Sequence, residues 1–215
     1  MLTIDVVSDV VCPWCYIGKR RLEGALGLYA RSHPDQPAPE VTWRPFQLNP
    51  GMPDEGMSRA EYVQRKFGAR GGTVYERVAA VGREVGIAFA FDRIARQPNT
   101  LAAHSLIALA ERHRLQDAVV EALFKAYFID GLDMTARANL VATASGAGLD
   151  RAEVEARLDD ARARDAAAEE DARARAIGIE GVPFFIFNGA LAVSGAHPAE
   201  TLFEAMEQAE RDERP

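Results

Sequence analysis

Residues 2–15 read Leu2-Thr3-Ile4-Asp5-Val6-Val7-Ser8-Asp9-Val10-Val11-Cys12-Pro13-Trp14-Cys15. Residues Leu2 to Ser8 are dense in β-branched side chains and predict a short buried strand. The helix that follows is expected to start at the two cysteines, with Pro13 in its first turn, where no internal hydrogen bond to nitrogen is lost. Two cysteines separated by two residues at such a junction can pass between dithiol and disulfide with little backbone movement. The free backbone donors and the dipole of the helix N-terminus favour an anion, so Cys12 is the sulfur placed to attack as a thiolate. Cys15, one turn further in, is placed to resolve a mixed disulfide. A lone pair with this spacing can also be half of a zinc site. That reading needs two more ligands, and His33, His104, His113 and His197 show no paired spacing near another cysteine. No metal is expected.

Working outward, Tyr16 to Tyr29 carries Ile17, Leu22, Ala25, Leu26 and Leu28 at broadly helical spacing, and Pro34, Pro37 and Pro39 end the helix. Glu40 to Leu48, with Val41, Trp43 and Phe46, predicts a second strand, so the opening is β-α-β with a parallel crossover. From about Ser58 to Ile177 the pattern turns helical. Ser58-Arg59-Ala60-Glu61 and Thr73-Val74-Tyr75-Glu76 both fit a capping box, and Gly71-Gly72 is read as a turn. Thr100 is expected to open another helix. Gly131, Gly146 and Gly148 are expected caps or turns. The Ala/Arg/Asp/Glu-rich run from Asp159 to Ala176 reads as a solvated helix of mixed charge.

Beyond Gly178 and Gly181, strand character returns in Phe184-Phe185-Ile186-Phe187. Asn188-Gly189 is a two-residue hairpin signal, with Ala190 to Val193 returning antiparallel. A final helix is expected from about Pro198 to Glu210. The expected fold is α/β: thioredoxin-like, with a helical domain inserted between the β-α-β and β-β-α halves. Residues 1–50 and 178–215 would form the thioredoxin-like domain and 51–177 the insertion with its connecting helix. Val182-Pro183 stands just before the returning strand, where this fold places a cis-proline facing the dithiol. Val182 would then offer its backbone to an extended substrate.

At 215 residues, 48 % hydrophobic and 27 % charged, the chain has the composition of a globular protein. Its formal charge of −7 comes without a basic stripe, which argues against nucleic acid or anionic membrane as partner. The first residues lack a basic opening and Asp5 interrupts their apolar stretch, so neither an export signal nor a membrane span is expected and the cytoplasm is the anticipated location. Two cysteines in that compartment fit redox chemistry better than a structural disulfide. Neither a Walker loop nor a strand-linked GxGxxG is present.

The segment Ser8 to Lys19 resembles the DsbA family, in particular its cytoplasmic FrnE-like branch. Further matches are Trp43-Arg44-Pro45-Phe46-Gln47-Leu48-Asn49-Pro50, Pro98-Asn99-Thr100 with His104, Tyr127-Phe128, Gly148-Leu149-Asp150, Gly181-Val182-Pro183-Phe184-Phe185 and Ser194-Gly195-Ala196. The resemblance implies a thiol–disulfide oxidoreductase with Cys12 as nucleophile, Cys15 resolving, and Pro183 as a cis-proline shaping the site. Asn99 and His104 would line the groove or serve in capping and packing. Substrates would be proteins bearing thiols or disulfides, or glutathione as co-substrate, with no tightly bound cofactor. Strongly oxidising members carry His between the cysteines. Trp14 stands there in this chain, which implies a milder couple because indole supplies no imidazolium to the thiolate; alternatively, Trp14 offers substrate an apolar contact. The competing function is a glutathione-dependent isomerase or transferase of the 2-hydroxychromene-2-carboxylate isomerase and kappa-class type, whose members commonly have Ser at the first cysteine. A peptide-binding, chaperone-like role of the helical insertion is a third reading.

Overall fold

The computed structural model describes residues 1–212; the last three positions of the 178–215 segment lie outside it. Strands β1 (Thr3–Ser8) and β2 (Glu40–Pro45) pair in parallel, joined by helix α1 (Pro13–Ser32). At the other end of the chain, β5 (Phe184–Phe187) runs antiparallel to β1, and β6 (Leu191–Ser194) antiparallel to β5. The sheet order is therefore β2-β1-β5-β6, so the first and last portions of the sequence share one sheet. Both β-branched β1 and aromatic β5 alternate faces. Ile4, Val6, Phe185 and Phe187 point to one side, with α1 and α9 (Ala199–Asp212) supplying Leu22, Ala25, Leu202 and Met206 to the same core. Val7 points to the other side, with Phe46, Ala174 and Ile179. Each fully covered Phe of β5 contributes on the order of 2 kcal/mol by burial.

The β5–β6 turn is as the sequence predicts. Asn188 and Gly189 take φ of 49° and 66°, the left-handed pair of a type I′ turn. The Asn188 side chain accepts from the Thr3 backbone N–H at 2.9 Å and so ties the hairpin to the start of β1.

Between the two parts of the sheet lie the helices α2 (Arg59–Phe67), α3 (Gly71–Glu84), α4 (Leu101–Glu111), α5 (Gln116–Phe128), α6 (Arg137–Gly146), α7 (Arg151–Asp159) and α8 (Ala161–Ala176). Ser58 caps α2, its hydroxyl accepting from the Glu61 N–H at 3.2 Å, but the reciprocal half of the box is replaced: the Glu61 carboxylate pairs with Arg65. The capping box expected at Thr73 does not form. A 3-10 turn over Gly68–Arg70 feeds directly into α3, which starts at Gly71, so Thr73 already lies inside the helix and Gly71-Gly72 is its first turn. Nor does Thr100 cap α4 by its side chain; Asn99 Oδ1 accepts from the Leu101 N–H at 3.0 Å instead. Gly131 and Gly148 take positive φ as expected of turn residues, whereas Gly146 is the last residue of α6 without it. Two residues each of β3 (Met57–Ser58) and β4 (Arg96–Gln97) form a second, small antiparallel sheet that no sequence pattern announces.

The Ala/Arg/Asp/Glu-rich run also departs from expectation. Asp160 breaks it, capping α8 by accepting from the Arg162 N–H. Ala163, Ala167 and Ala174 are buried, and so is Asp171, at 5 % exposure. Asp171 accepts from the Gln47 backbone N–H at 2.8 Å and from Arg175 Nε at 3.0 Å. It thereby fastens α8 to the segment just after β2, a structural duty hidden inside a run that reads as solvent-facing.

Candidate active site

Cys12 is the N-cap of α1, with extended backbone (φ −94°, ψ 110°), and Pro13 occupies the first helical position. The loop from β1 is held by the Cys12 N–H donating to the Asp9 carbonyl at 2.9 Å, and the first turn by the Cys15 N–H donating to the Cys12 carbonyl at 3.0 Å. Both sulfurs are free thiols and both are nearly covered, Cys12 at 4 % exposure and Cys15 at 1 %. Trp14, between them, is 40 % exposed and is the part of the motif that solvent meets most.

The peptide bond Val182–Pro183 is cis, as the position before β5 led one to expect. The Cys12 thiol lies 3.6 Å from the Val182 carbonyl oxygen, close enough to donate to it. Pro183 itself is buried; its carbonyl accepts from the Gly195 N–H at 2.8 Å and so joins the end of β6. Residues 170 positions apart in sequence thus meet because β1 and β5 are neighbours in the sheet. Burial pushes the Cys15 thiol well above its ordinary range, and the hydrogen bond and charge of Cys12 raise it further, against smaller opposing contributions from the Asp9 backbone and Ser8. Such a thiol stays protonated until a proton acceptor or a mixed disulfide changes its surroundings.

Behind the motif stands Asp9, 1 % exposed. Its Oδ2 accepts from the Leu48 N–H at 2.7 Å, while Oδ1 has no hydrogen-bond partner among the described residues and lies 3.4 Å from His104 Nε2. His104 is 3 % exposed and faces the Phe46 carbonyl at 3.2 Å. It is therefore packed beneath the β1–α1 loop, and the groove role considered for it is not the one its position provides. Asn99 is likewise engaged elsewhere: besides capping α4, it donates to the Met52 carbonyl at 2.7 Å and accepts from Gln47 Nε2 at 3.3 Å. Sequence reasoning reached Asp9 only as part of the resembling segment. An acidic residue three positions before the first cysteine was the available signal.

On the side of Trp14, α2 and α3 bring a group of aromatic and basic residues that no sequence motif announces. Arg59, 8 % exposed, donates to Gln97 Oε1 at 2.5 Å and stacks its guanidinium over Tyr75 at 4.8 Å and Tyr62 at 5.3 Å. Burial pushes the Tyr75 hydroxyl up to about 12; Arg59 opposes this and the charges of Tyr62 and Cys12 add to it, which places Tyr75 within electrostatic reach of the first cysteine. Immediately after Cys15, Tyr16 stacks on Phe124 of α5 at 4.9 Å and its hydroxyl donates to Glu121 at 2.8 Å. Lys19, 2 % exposed, pairs with Glu23, with Asp117 at 3.0 Å and with Glu121 at 3.4 Å. The start of α1 is thereby locked to α5 by one stacked ring and a compensated buried charge.

A four-stranded mixed sheet flanked by α1 and α9, with a Cys-x-x-Cys at the start of α1 facing a cis-proline loop, defines a thioredoxin-like protein of the DsbA type. The chain belongs to that family: the model of the DSBA-like thioredoxin domain matches residues 3–207. It is similar to a probable DsbA oxidoreductase from Streptomyces coelicolor, at 31 % identity and a TM-score of 0.89, over 100 % of this chain and 92 % of that one. The 2-hydroxychromene-2-carboxylate isomerase shares the fold at 16 % identity and a TM-score of 0.73, over 98 % and 97 % of the two chains. So does the cytosolic disulfide reductase DsbM from Pseudomonas aeruginosa, solved with glutathione, at 17 % identity and a TM-score of 0.64, over 99 % and 100 %. No curated protein matches the sequence. Among the described residues, no helix is long and apolar enough to cross a membrane.

Proposed function

We propose that this chain is a thiol–disulfide oxidoreductase of the FrnE-like branch, acting in the cytoplasm on protein thiols and disulfides or on glutathione, without a resident metal or tightly bound cofactor. The observation that carries the reading is the pair of free thiols one turn apart at the N-terminus of α1, with Cys12 Sγ 3.6 Å from the Val182 carbonyl. In the reducing direction the Cys12 thiolate attacks one sulfur of a substrate disulfide. The substrate S–S bond breaks, a Cys12–substrate disulfide forms, and the departing sulfur leaves as a thiolate that takes a proton from solvent. Cys15 gives up its proton and attacks Cys12 Sγ, releasing the second substrate thiol and leaving the Cys12–Cys15 disulfide. Two electrons have then passed to the substrate. Run backwards, the same steps oxidise a substrate dithiol. Val182 presents its backbone to the extended substrate beside Pro183, and Trp14 in place of an imidazole makes the couple milder than that of strongly oxidising relatives.

The decisive experiment is to trap partners with Cys15→Ala, which leaves the mixed disulfide at Cys12 unresolved, and to assay Cys12→Ser in parallel. Mixed disulfides on the first variant and loss of disulfide exchange in the second support the reading. Glutathione-dependent isomerisation of a 2-hydroxychromene-2-carboxylate that survives Cys12→Ser would replace it with the isomerase function.

A further inference from the structure

Beside the dithiol, α3 borders a furrow made of two cavities that share a wall. The nearer, about 330 Å³, is lined by Trp14, Val74, Arg77, Val78 and Val81; the farther, about 390 Å³, by Phe67, Arg70, Thr73, Val74 and Arg77. The floor is apolar, the only charged side chains on either lining are Arg70 and Arg77, and both are exposed. Among the described residues neither meets a carboxylate within 4 Å, unlike Arg65, which pairs with Glu61 one helix earlier. The surrounding sequence is basic as well. From Arg59 to Arg83 six arginines and lysines stand against two glutamates, in a chain whose formal net charge is −7. A field of this sign beside the reactive sulfur favours anionic partners there while the rest of the surface repels them.

We propose that this furrow seats an acidic stretch of polypeptide next to the disulfide or dithiol being exchanged, with its carboxylates on Arg70 and Arg77 and an apolar side chain against Trp14 and Val78. The proposal rests on the thiol–disulfide reading and adds the class of substrate to it. A polypeptide fits better than a small thiol because of length. From Val81 to Gly71 the axis of α3 advances about 15 Å at 1.5 Å per residue, and Arg70 lies one residue further, in the 3-10 turn. That distance takes about five residues of extended chain at 3.3 Å each, whereas a tripeptide reaches only about 10 Å. The two arginines, seven residues apart in sequence, lie about 10 Å apart along the axis, Arg77 on α3 and Arg70 at the end of the 3-10 turn that leads into it.

The test uses two ten-residue peptides with one internal disulfide, one flanked by aspartates and the other by asparagines at the same positions, together with glutathione disulfide. Each is reduced in a single turnover by the full-length protein reduced beforehand. The wild-type chain should reduce the aspartate peptide about fivefold faster than the asparagine peptide, the gain expected of two exposed charge pairs. Without the furrow, a protein of this net charge would favour the neutral one. In wild type at high salt the ratio should fall to about one, and in Arg70→Gln/Arg77→Gln it should fall to one or below, since the net negative charge then acts unopposed. Equal wild-type rates overturn the proposal. So does a double variant that slows glutathione disulfide as much as the aspartate peptide, since the occupant would then be a small carboxylate-bearing thiol. Failure to reduce any of the three substrates removes the thiol–disulfide reading itself, and the proposal falls with it.

Discussion

Gly18 faces Pro183 so closely that a β-carbon at position 18 would stand 2.9 Å from Pro183 Cγ and 3.3 Å from its Cβ. The third residue after Cys15 therefore sets how near α1 can approach the loop that carries Val182. A Gly18→Ala substitution should gain about 1 kcal/mol in helix propensity and lose more than that, about 1–3 kcal/mol, by overpacking against a ring that cannot turn aside. The net expected outcome is a lower denaturant midpoint and slower disulfide exchange. Gly27→Ala in the same helix is the control, because its β-carbon would meet only the end of Arg31 at 3.5 Å. A Gly18→Ala protein as stable as wild type would contradict the contact.

Cys15, raised by burial and by Cys12 beside it, should remain a thiol at pH 8 and become open to alkylation only as pH climbs past the ordinary thiol value of 9.0. Peptide mapping after limited iodoacetamide treatment checks this. Modification of Cys15 ahead of Cys12 at pH 8 would reverse the assigned roles.

Trp14→His restores the imidazole that strongly oxidising relatives carry. The expected change is a more oxidising couple by on the order of 30 mV, tenfold in equilibrium with glutathione. Redox titration of the two proteins reads it directly, and an unchanged potential would mean that Trp14 does not set the couple.

Burial alone would raise Glu121, but hydrogen bonds from Arg20 and Tyr16 and the charges of Lys19 and Arg20 outweigh it and hold the carboxyl below its ordinary value of 4.5. A depressed folded value stabilises the protein at and above the ordinary one, and that contribution is lost as pH falls from about 4.5 through the lower folded value. Glu121→Gln should therefore cost about 1.5–3 kcal/mol near neutrality and flatten the acid limb of the stability curve. Chemical denaturation at a series of pH values between 3 and 7 would show a parallel acid limb if Glu121 were not engaged.

Replacing Asp171 by Ala strands the Gln47 backbone N–H in a covered site and takes the ion pair from the exposed Arg175. A loss of about 1–3 kcal/mol is expected, measured by urea unfolding, whereas the neighbouring exposed Asp165→Ala should change little. Equal effects would mean that the bond from α8 to the β2 end carries no weight.

That contrast also shows what the sequence could convey. The dithiol, the parallel crossover, the Asn188-Gly189 turn and the proline before β5 are legible because each depends on a few adjacent residues with strong local geometry. Asp171 is not, since nothing in an Ala/Arg/Asp/Glu run distinguishes the one acid whose partner lies 124 residues away. Thr73 misleads for a related reason: hydroxyl and carboxylate have capping spacing, but the preceding 3-10 turn over Gly68–Arg70 leads into a helix that starts three residues sooner, at Gly71. Asn99 and His104 stand just before and just inside the start of α4, but what they hold depends on Gln47, Met52, Asp9 and Phe46, contacts that no spacing encodes.

The stacking of Tyr16 on Phe124, one residue past the second cysteine, has an engineering corollary. A pared-down version, with the end of β2 spliced directly to β5, would keep both cysteines and every strand of the main sheet. It would also strip the ring next to Cys15 of its platform and leave Lys19 without Asp117 and Glu121. The helices between the two halves of the sheet are thus no detachable ornament, and shortening the gene to the sheet with α1 and α9 would give a redox motif without a foundation.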